Sequence, residues 1–539
     1  MRQGGSRAPR TEIVLLVALA VYGLFPLAVA LIHAAQTHTV FTGADGLIGA
    51  DGVLGADQLQ YLAWARDAGG HGLAGDLFSL APSGHVYLEP LFEITGLLWR
   101  AGLSLQLAYL IWKPVAVLAL ALAGFAWARR MFPGQPGARG ATVILALFLC
   151  TPLSALFSWT QLGSARFRFG LYLLGDELLA ANKLWGYVPS ALALALVPVA
   201  LLAVERALDP ARGRDPADRT GVTRMRRRPL MLAAAASLIA SWLHPWQGIT
   251  LILIFAGLGV WRRGRGWWAL AVPAIGAALP LGYYYVLSHT DPAWKLAAQY
   301  ELIGRLPALV LLAGFGPLAL IAAAGLRRPG PVVVEQALLL WIGACFVTYF
   351  VNDAFAPHAL QGLSFPFAVL AVRGARRVRA PALVSAAAIG LLTLPGLVYD
   401  ARKFINTAQS PTVQYYLPHS DLAALRFVSG GAPGAGVLAP TPFAVVVPSQ
   451  TGRAVWVGHG YWSRDYAGRS RQADRLFGGR MRPVTARAFV RGTGSTLLIS
   501  DCRHHRADLR RSLGPIVASV HEFGCARVYV LRTGRASRR

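Results

Sequence analysis

Apolar stretches about as long as a bilayer is thick recur through roughly the first three quarters of this chain. About eleven of them lie between Ile13 and Val398. A spanning helix needs ~20 apolar residues. In lipid every backbone polar group must be paired within a helix or a closed barrel, so few folds remain open to such a chain. Two regions break the rhythm. A polar loop at residues 35–105 is rich in Asp, Gly, His and aromatics, and a basic tail at residues 400–539 carries short strand-like runs. The pattern predicts an α-helical polytopic membrane protein of about 11 transmembrane helices with a small C-terminal α/β domain. The expected division is 1–399, including the outer loop, and 400–539.

Charge supports this reading. Of 539 residues 55% are hydrophobic and 14% charged, against roughly a quarter charged in soluble domains. Only Lys113, Lys183, Lys295 and Lys403 among the 52 basic residues are Lys; the other 48 are Arg, a bias typical of a high-GC bacterial genome. A net charge of +27 would suit nucleic acid. Here, however, the Arg clusters sit at the ends of apolar segments, so the expected partner is membrane lipid and not nucleic acid.

Residues 13–34 exceed a signal-peptide apolar region and read as a retained first span with a cytoplasmic N-terminus. Counting forward, each even-numbered exit is Arg-rich: Arg129, Arg130 and Arg139; residues 206–228; Arg262, Arg263 and Arg265; Arg327 and Arg328; Arg373, Arg376, Arg377 and Arg379. The positive-inside rule makes these exits cytoplasmic. The first loop and the tail are then extracytoplasmic, in a bacterial inner membrane. Two spans must come from residues 230–261, broken at Leu243-His244-Pro245-Trp246, and the tenth span is short and holds Pro366. Both breaks suggest a cavity opening outwards. Cys150 and Cys345 fall in apolar segments. Cys502 and Cys525 share the tail and are a candidate disulfide if that tail is in an oxidising compartment. No cysteine spacing resembles a zinc site.

From Asp57 the first loop turns helical. Leu59, Leu62 and Ala63 form one stripe, with Tyr61, Trp64 and Ala68 beside it, so the expectation is an interfacial helix lying on the outer leaflet and starting at Asp57. Asp57 with Gln60 three residues on is a capping box. A carboxylate at a helix N-terminus stays ionised and can serve as a general base. Asp45, Asp51, Asp67 and Asp76 are weaker candidates, the first two suiting turns. His85, Glu89 and Glu93 follow in HVYLEPLFE.

The layout and the stretch ADQLQYLAWARDAG resemble the first-loop Asp region of bacterial members of the GT-C superfamily of integral-membrane glycosyltransferases. The run RAVWVGHGYWSRDYAGRSRQADRLF is similar to tails of bacterial relatives. The resemblance implies transfer of a hexose or pentose from a polyprenyl-phosphate donor to an extracytoplasmic acceptor (a cell-envelope glycan, lipid or protein). Asp57 maps to the catalytic carboxylate, and Gln58 and Tyr61 lie beside it as substrate-binding candidates. Many members carry two adjacent acids; here Gln58 takes the second place, so a divalent metal, Mg or Mn, is left open and no ligand set is assigned. A lipid-phosphate leaving group departs without protonation, so one base suffices and the paired carboxylates of glycoside hydrolysis are not needed. The donor phosphate does call for positive charge. Arg166 and Arg168 in SARFRFG, Lys183 in ANKLWGY, and Arg305 are placed on outer loops.

Other substrate-binding candidates at the outer face are His85, Glu89, His244 and Gln247 at the helix break, and His358 and Gln361, which share a face if helical. Asn352 and Asp353 stand nearby. Asp176 and Glu177 read as a helix start. In the tail, VLAPTPFAVVVPS, AVWVGH, STLLISDC and ARVYVLR read as strands, with helices at residues 421–428 and 472–477. His504 and His505, adjacent on one strand, would point apart. Two other functions fit the layout. A lipid or solute transporter or flippase would explain the broken helices, though no internal repeat is visible. A non-catalytic assembly protein would explain the tail.

Overall fold

The computed structural model describes residues 8–46, 53–81, 83–208, 227–262, 267–300, 304–327, 332–351, 355–409, 414–431 and 435–532. The chain is a multi-pass, α-helical membrane protein with a small sheet in its tail. Six helices among the described residues are long and apolar enough to cross a membrane: Arg10–Gln36, Leu105–Met131, Val188–Leu208, Trp268–Thr290, Val333–Val351 and Ala382–Ala408. The pair Pro136–Phe148 and Pro152–Thr160, bent by 47°, makes a seventh if it counts as one span, and Ala308–Ala324 is a shorter apolar helix. The break expected near Pro245 is present: Arg227–Leu243 ends and Pro245–Arg262 begins with His244 between them. Proline at the first helical position has no N–H to leave unpaired, so it restarts the helix at little cost.

Two compact units do not follow chain order. The described residues of Met1–Leu24, Trp112–Tyr285 and Leu302–Lys403 form one, here the membrane unit. Those of Phe25–Ile111, Val286–Glu301 and Phe404–Arg539 form the other, here the outer-loop unit. The second joins the first-loop segment to the tail. Val40–Phe41 pairs antiparallel with Tyr416–Leu417, Thr42 N–H donates to the Tyr415 carbonyl at 2.9 Å, and Arg66 Nε donates to the Ser449 carbonyl at 2.8 Å.

The tail carries a four-stranded sheet ordered Val437–Leu438, Leu497–Ser500, Ala526–Leu531, Val517–Phe523. The first pair is parallel and the others antiparallel, with Leu498 opposite Tyr529. Leu438, Phe477, Leu498, Leu513 and Tyr529 close its core. Cys502 and Cys525 form a disulfide beside the strand ends.

Several local expectations change. The VVVPS run is not a strand but a 3-10 turn followed by the helix Val446–Thr451. Val445, Val446 and Val447 are all buried, and a run buried on every side has no period to separate strand from helix. AVWVGH contributes a single bridge, Val455 to Val437. Asp176 and Glu177 end the helix Ala165–Leu178 and do not begin one. His504 closes a 3-10 turn, Cys502–His504, not a strand.

Candidate active site in the outer-loop unit

Asp57 is not a helix cap. The helix that carries it runs Val53–His71, so Asp57 lies in its second turn and the expected Asp57–Gln60 capping box is not formed. Nor does the helix lie on a surface with one face wet. Across residues 56–69 all are buried except Asp57, Tyr61 and Arg66, which are partly exposed. The polar residues that suggested a wet face are satisfied inside: Gln58 Oε1 accepts from Gly46 N–H at 2.9 Å. Asp57 and Tyr61 are one turn apart on one face, and both are partly exposed.

The partner of Asp57 is His459. Its Nε2 stands 3.1 Å from Asp57 Oδ1; the imidazole is fully buried, while the carboxylate is 20% exposed. The tautomer follows from the other nitrogen. Nδ1 accepts the Tyr461 backbone N–H at 3.2 Å, so the proton is on Nε2 and is donated to Asp57. The turn behind His459 is rigid. Ser463 Oγ accepts from Gly458 N–H at 3.0 Å and from His459 N–H at 3.2 Å, and donates to the Phe78 carbonyl at 2.7 Å. A Cβ at Gly458 would stand 2.7 Å from Val455 and 3.0 Å from Phe78, so only glycine fits there. The bond from His459 orients the carboxylate of Asp57, which keeps part of its surface exposed.

Trp64 continues the face of Asp57 and Tyr61 at i+7. Around it stand Tyr87 at 4.7 Å, Trp462 at 5.2 Å, Phe92 at 5.7 Å and Trp294 at 6.0 Å between ring centroids. Tyr61 stacks on Phe92 at 5.3 Å. Trp64, Tyr87, Phe92 and Trp462 are buried in this cluster, and Tyr61 and Trp294 are partly exposed at its edge.

Glu89 caps the helix Pro90–Arg100, its Oε2 accepting from Phe92 N–H at 2.9 Å. Burial pushes its carboxyl up to about 8, the nearby Glu93 adding to the effect. Burial and then Asp67 push Glu93 up to about 7. His85 meets Asp67 instead of Asp57: its Nδ1 lies 2.7 Å from Asp67 Oδ2. Mg and Mn favour sets of oxygen donors. Among the described residues no group of three His, Cys, Asp or Glu side chains close enough to share an ion includes Asp57.

The membrane unit holds the other expected residues. Glu177 is buried and engaged on both oxygens: His358 Nδ1 lies 2.8 Å from Oε1, Gln361 Nε2 donates to Oε2 at 2.6 Å, and Lys183 Nζ lies 3.3 Å from Oε2. Lys183 also pairs with Asp176 at 3.1 Å, and Asn182 donates to Asp176. Burial alone would raise Glu177, but Lys183 and His358 hold it well below the usual carboxylate range. Burial alone would lower Lys183, and the two carboxylates raise it instead. Lys183 therefore already has two counter-ions. Gln247 Nε2 donates to the Gln361 carbonyl at 3.3 Å, and the His244 ring meets His358 at 5.4 Å. Arg168 donates to the carbonyls of Gln161 and Gly163, Arg166 is exposed at the start of its helix, and Arg305 donates to the Phe350 carbonyl. Asp51, Asn352 and Asp353 lie outside the described residues.

Sequence reasoning singled out the run around VGHGYWS but not His459, Trp462 or Trp294 as site residues. A lone His flanked by two glycines and followed by Tyr and Trp was the available signal. Nothing local pairs it with an Asp 402 positions earlier.

No protein-family model matches the chain, and no curated protein matches it at a significant level. Solved structures similar to it include ArnT from Cupriavidus metallidurans in the apo state, 12% identical, covering 96% of this chain and 97% of that one with a TM-score of 0.47. The same protein bound to undecaprenyl phosphate is 13% identical over 97% and 98%, with a TM-score of 0.45. The archaeal oligosaccharyltransferase AglB from Archaeoglobus fulgidus, in complex with an inhibitory peptide and a dolichol-phosphate, is 14% identical over 97% of this chain and 74% of that one, TM-score 0.41. At such identities and scores the chemistry rests on this chain's own residues.

Proposed function

We propose that this chain is an inverting membrane glycosyltransferase that moves a sugar from a polyprenyl-phosphate donor to a hydroxyl acceptor outside the cytoplasm, with Asp57 as the general base. The observation that carries the proposal is the Asp57–His459 pair: a partly exposed carboxylate, oriented by a buried imidazole, on the same helix face as a cluster of aromatic rings. The acceptor O–H gives its proton to Asp57 as its oxygen attacks the anomeric carbon. The bond from that carbon to the phosphate oxygen breaks, and the lipid phosphate leaves with the electron pair, needing no acid. His459 holds Asp57 in one orientation and neutralises part of its charge through Nε2–H. The partly exposed Tyr61 and Trp294 take the sugar face or the first isoprene units. Arg166 and Arg168 are the proposed lipid-phosphate contacts of the membrane unit, and the Cys502–Cys525 bridge suits an oxidising compartment.

The test is glycolipid profiling by mass spectrometry of a deletion strain complemented with wild type or Asp57→Asn. The expected result is that the deletion and Asp57→Asn lose the same glycan and accumulate the same lipid-phosphate sugar. Wild-type glycans from well-expressed Asp57→Asn would overturn the base assignment.

A further inference from the structure

The end of the Asp57 helix carries a second cluster that the transfer chemistry does not use. Asp67, His71 and His85 bring one carboxylate and two imidazoles together, their ligating atoms all within 4.8 Å of one another. His71 Nδ1 stands 2.8 Å from Asp67 Oδ1, and His85 Nδ1 stands 2.7 Å from Asp67 Oδ2. The two imidazole rings stack at 3.8 Å, 16° from parallel. Both therefore aim the same nitrogen at the same carboxylate from the same side.

The surroundings fix this arrangement. Asp67 is buried, and its Oδ2 also accepts Gly75 N–H at 2.7 Å. A Cβ on Gly75 would lie 3.0 Å from the Gly84 carbonyl and 3.3 Å from His85 Nδ1, so the glycine lets the His85 arm close on the helix. Ala74 and Tyr87 bridge that arm to its neighbour. Glu93 is close enough to Asp67 to feel its charge, and its buried Oε1 has no hydrogen-bond partner among the described residues.

We propose that Asp67, His71 and His85 form a binding site for a divalent transition metal, zinc foremost, with Glu93 or water as the fourth ligand. Two imidazole nitrogens and a carboxylate oxygen are a donor set for zinc and not for Mg or Ca. Ligand atoms about 2.1 Å from a tetrahedral ion stand roughly 3.4 Å apart, so each imidazole nitrogen needs to retreat from its carboxylate oxygen by about 0.7 Å. Binding moves each neutral imidazole to its Nε2–H tautomer, which frees both Nδ1 atoms for the ion. At a rise of 1.5 Å per residue, Asp67 lies about 15 Å along the helix from Asp57. The metal is thus a clip that fastens the helix end to the loop at residues 83–87, outside the transfer chemistry. This proposal is independent of the glycosyltransferase reading.

The test uses the full-length, tag-free protein in detergent, stripped by chelator. Zinc is titrated against a competing indicator, and the cobalt-loaded protein is scanned for visible d–d bands. The expected result is one tight zinc per chain, a zinc-dependent rise in Tm, and a loss of affinity of more than about tenfold in His71→Gln and in His85→Gln. Both histidines are partly exposed, 55% and 39%, and Gln retains a donor for Asp67, so the metal-free variants should melt close to metal-free wild type. Equal zinc affinity in wild type and the double variant would overturn the site and leave a hydrogen-bonded triad. Should the double variant fail to fold, the wild-type cobalt spectrum decides alone: strong bands of a nitrogen–oxygen tetrahedral site sustain the proposal, and their absence overturns it.

Discussion

The two units treat a buried carboxylate in opposite ways. In the membrane unit Glu177 is hidden and meets Lys183, His358 and Gln361, and its charge is cancelled where it stands. In the outer-loop unit Asp57 pairs with a buried imidazole and keeps a fifth of its surface exposed. A hidden carboxylate engaged on both oxygens holds a fold together. One with exposed surface can meet something that arrives. On that contrast we propose Glu177 as architecture and Asp57 as chemistry; in the sequence Glu177 reads as part of a helix start, and Asp57 stands out through resemblance.

The sharpest way to break the contrast is to neutralise Asp57. Asp57→Asn should lower transfer about 10³-fold, roughly 4 kcal/mol in the barrier, with a Tm close to wild type. Quantified product in membranes, beside a melting curve, checks both halves. Glu177→Ala should do the reverse. Removing one member of a buried pair leaves its partner uncompensated and costs about 3–5 kcal/mol. The expected outcome is poor folding and a large fall in Tm, with specific activity of the folded fraction falling much less. Should Glu177→Ala melt as wild type while losing turnover, the architectural assignment fails. His459→Gln comes next. It should lower kcat about tenfold to a hundredfold, near 2 kcal/mol, and leave KM little changed, because its partner is the base and not the substrate. A pure KM effect would make His459 a substrate contact.

How much of this was legible in sequence divides along physical lines. The spans, the polar first loop and the helical breakpoint at His244 followed from run length and proline, which act locally. The importance of Asp57 came from resemblance, and its supposed cap came from a local rule, the Asp57–Gln60 spacing. That rule failed because Val53–His71 starts a turn earlier and is buried on nearly every side. His459 went unread because its meaning lies in a contact spanning 402 positions. The sequence places Lys183 on an outer loop as positive charge for the donor phosphate, and it reads Asp176 and Glu177 separately as a helix start. The helix in fact ends there, which turns both acids back onto the lysine.

Glu89 tests the contrast with pH. Its carboxyl is raised to about 8 in the folded protein, above the ~4.5 expected unfolded. The folded state therefore holds the extra proton, and stability falls as pH rises from about 4.5 through 8. Glu89→Gln keeps an oxygen for Phe92 N–H and removes the titration. Its Tm should match wild type at pH 5 and exceed it by pH 8, by roughly 1–2 kcal/mol equivalent. A constant offset across that range would mean that Glu89 does not carry the shift.

The smallest effect sharpens the comparison most directly. Asp501–His504 is also an Asp–His pair, but with the exposure reversed: here the carboxylate is 1% exposed and the imidazole 22%. The hydrogen bond to Asp501 raises His504 above the usual 6.5. Its stabilisation is therefore fully present below about pH 6.5 and lost as pH rises through the raised value. Asp501→Asn should lower Tm at pH 6 by the equivalent of about 1 kcal/mol or less, and the gap should narrow by pH 8.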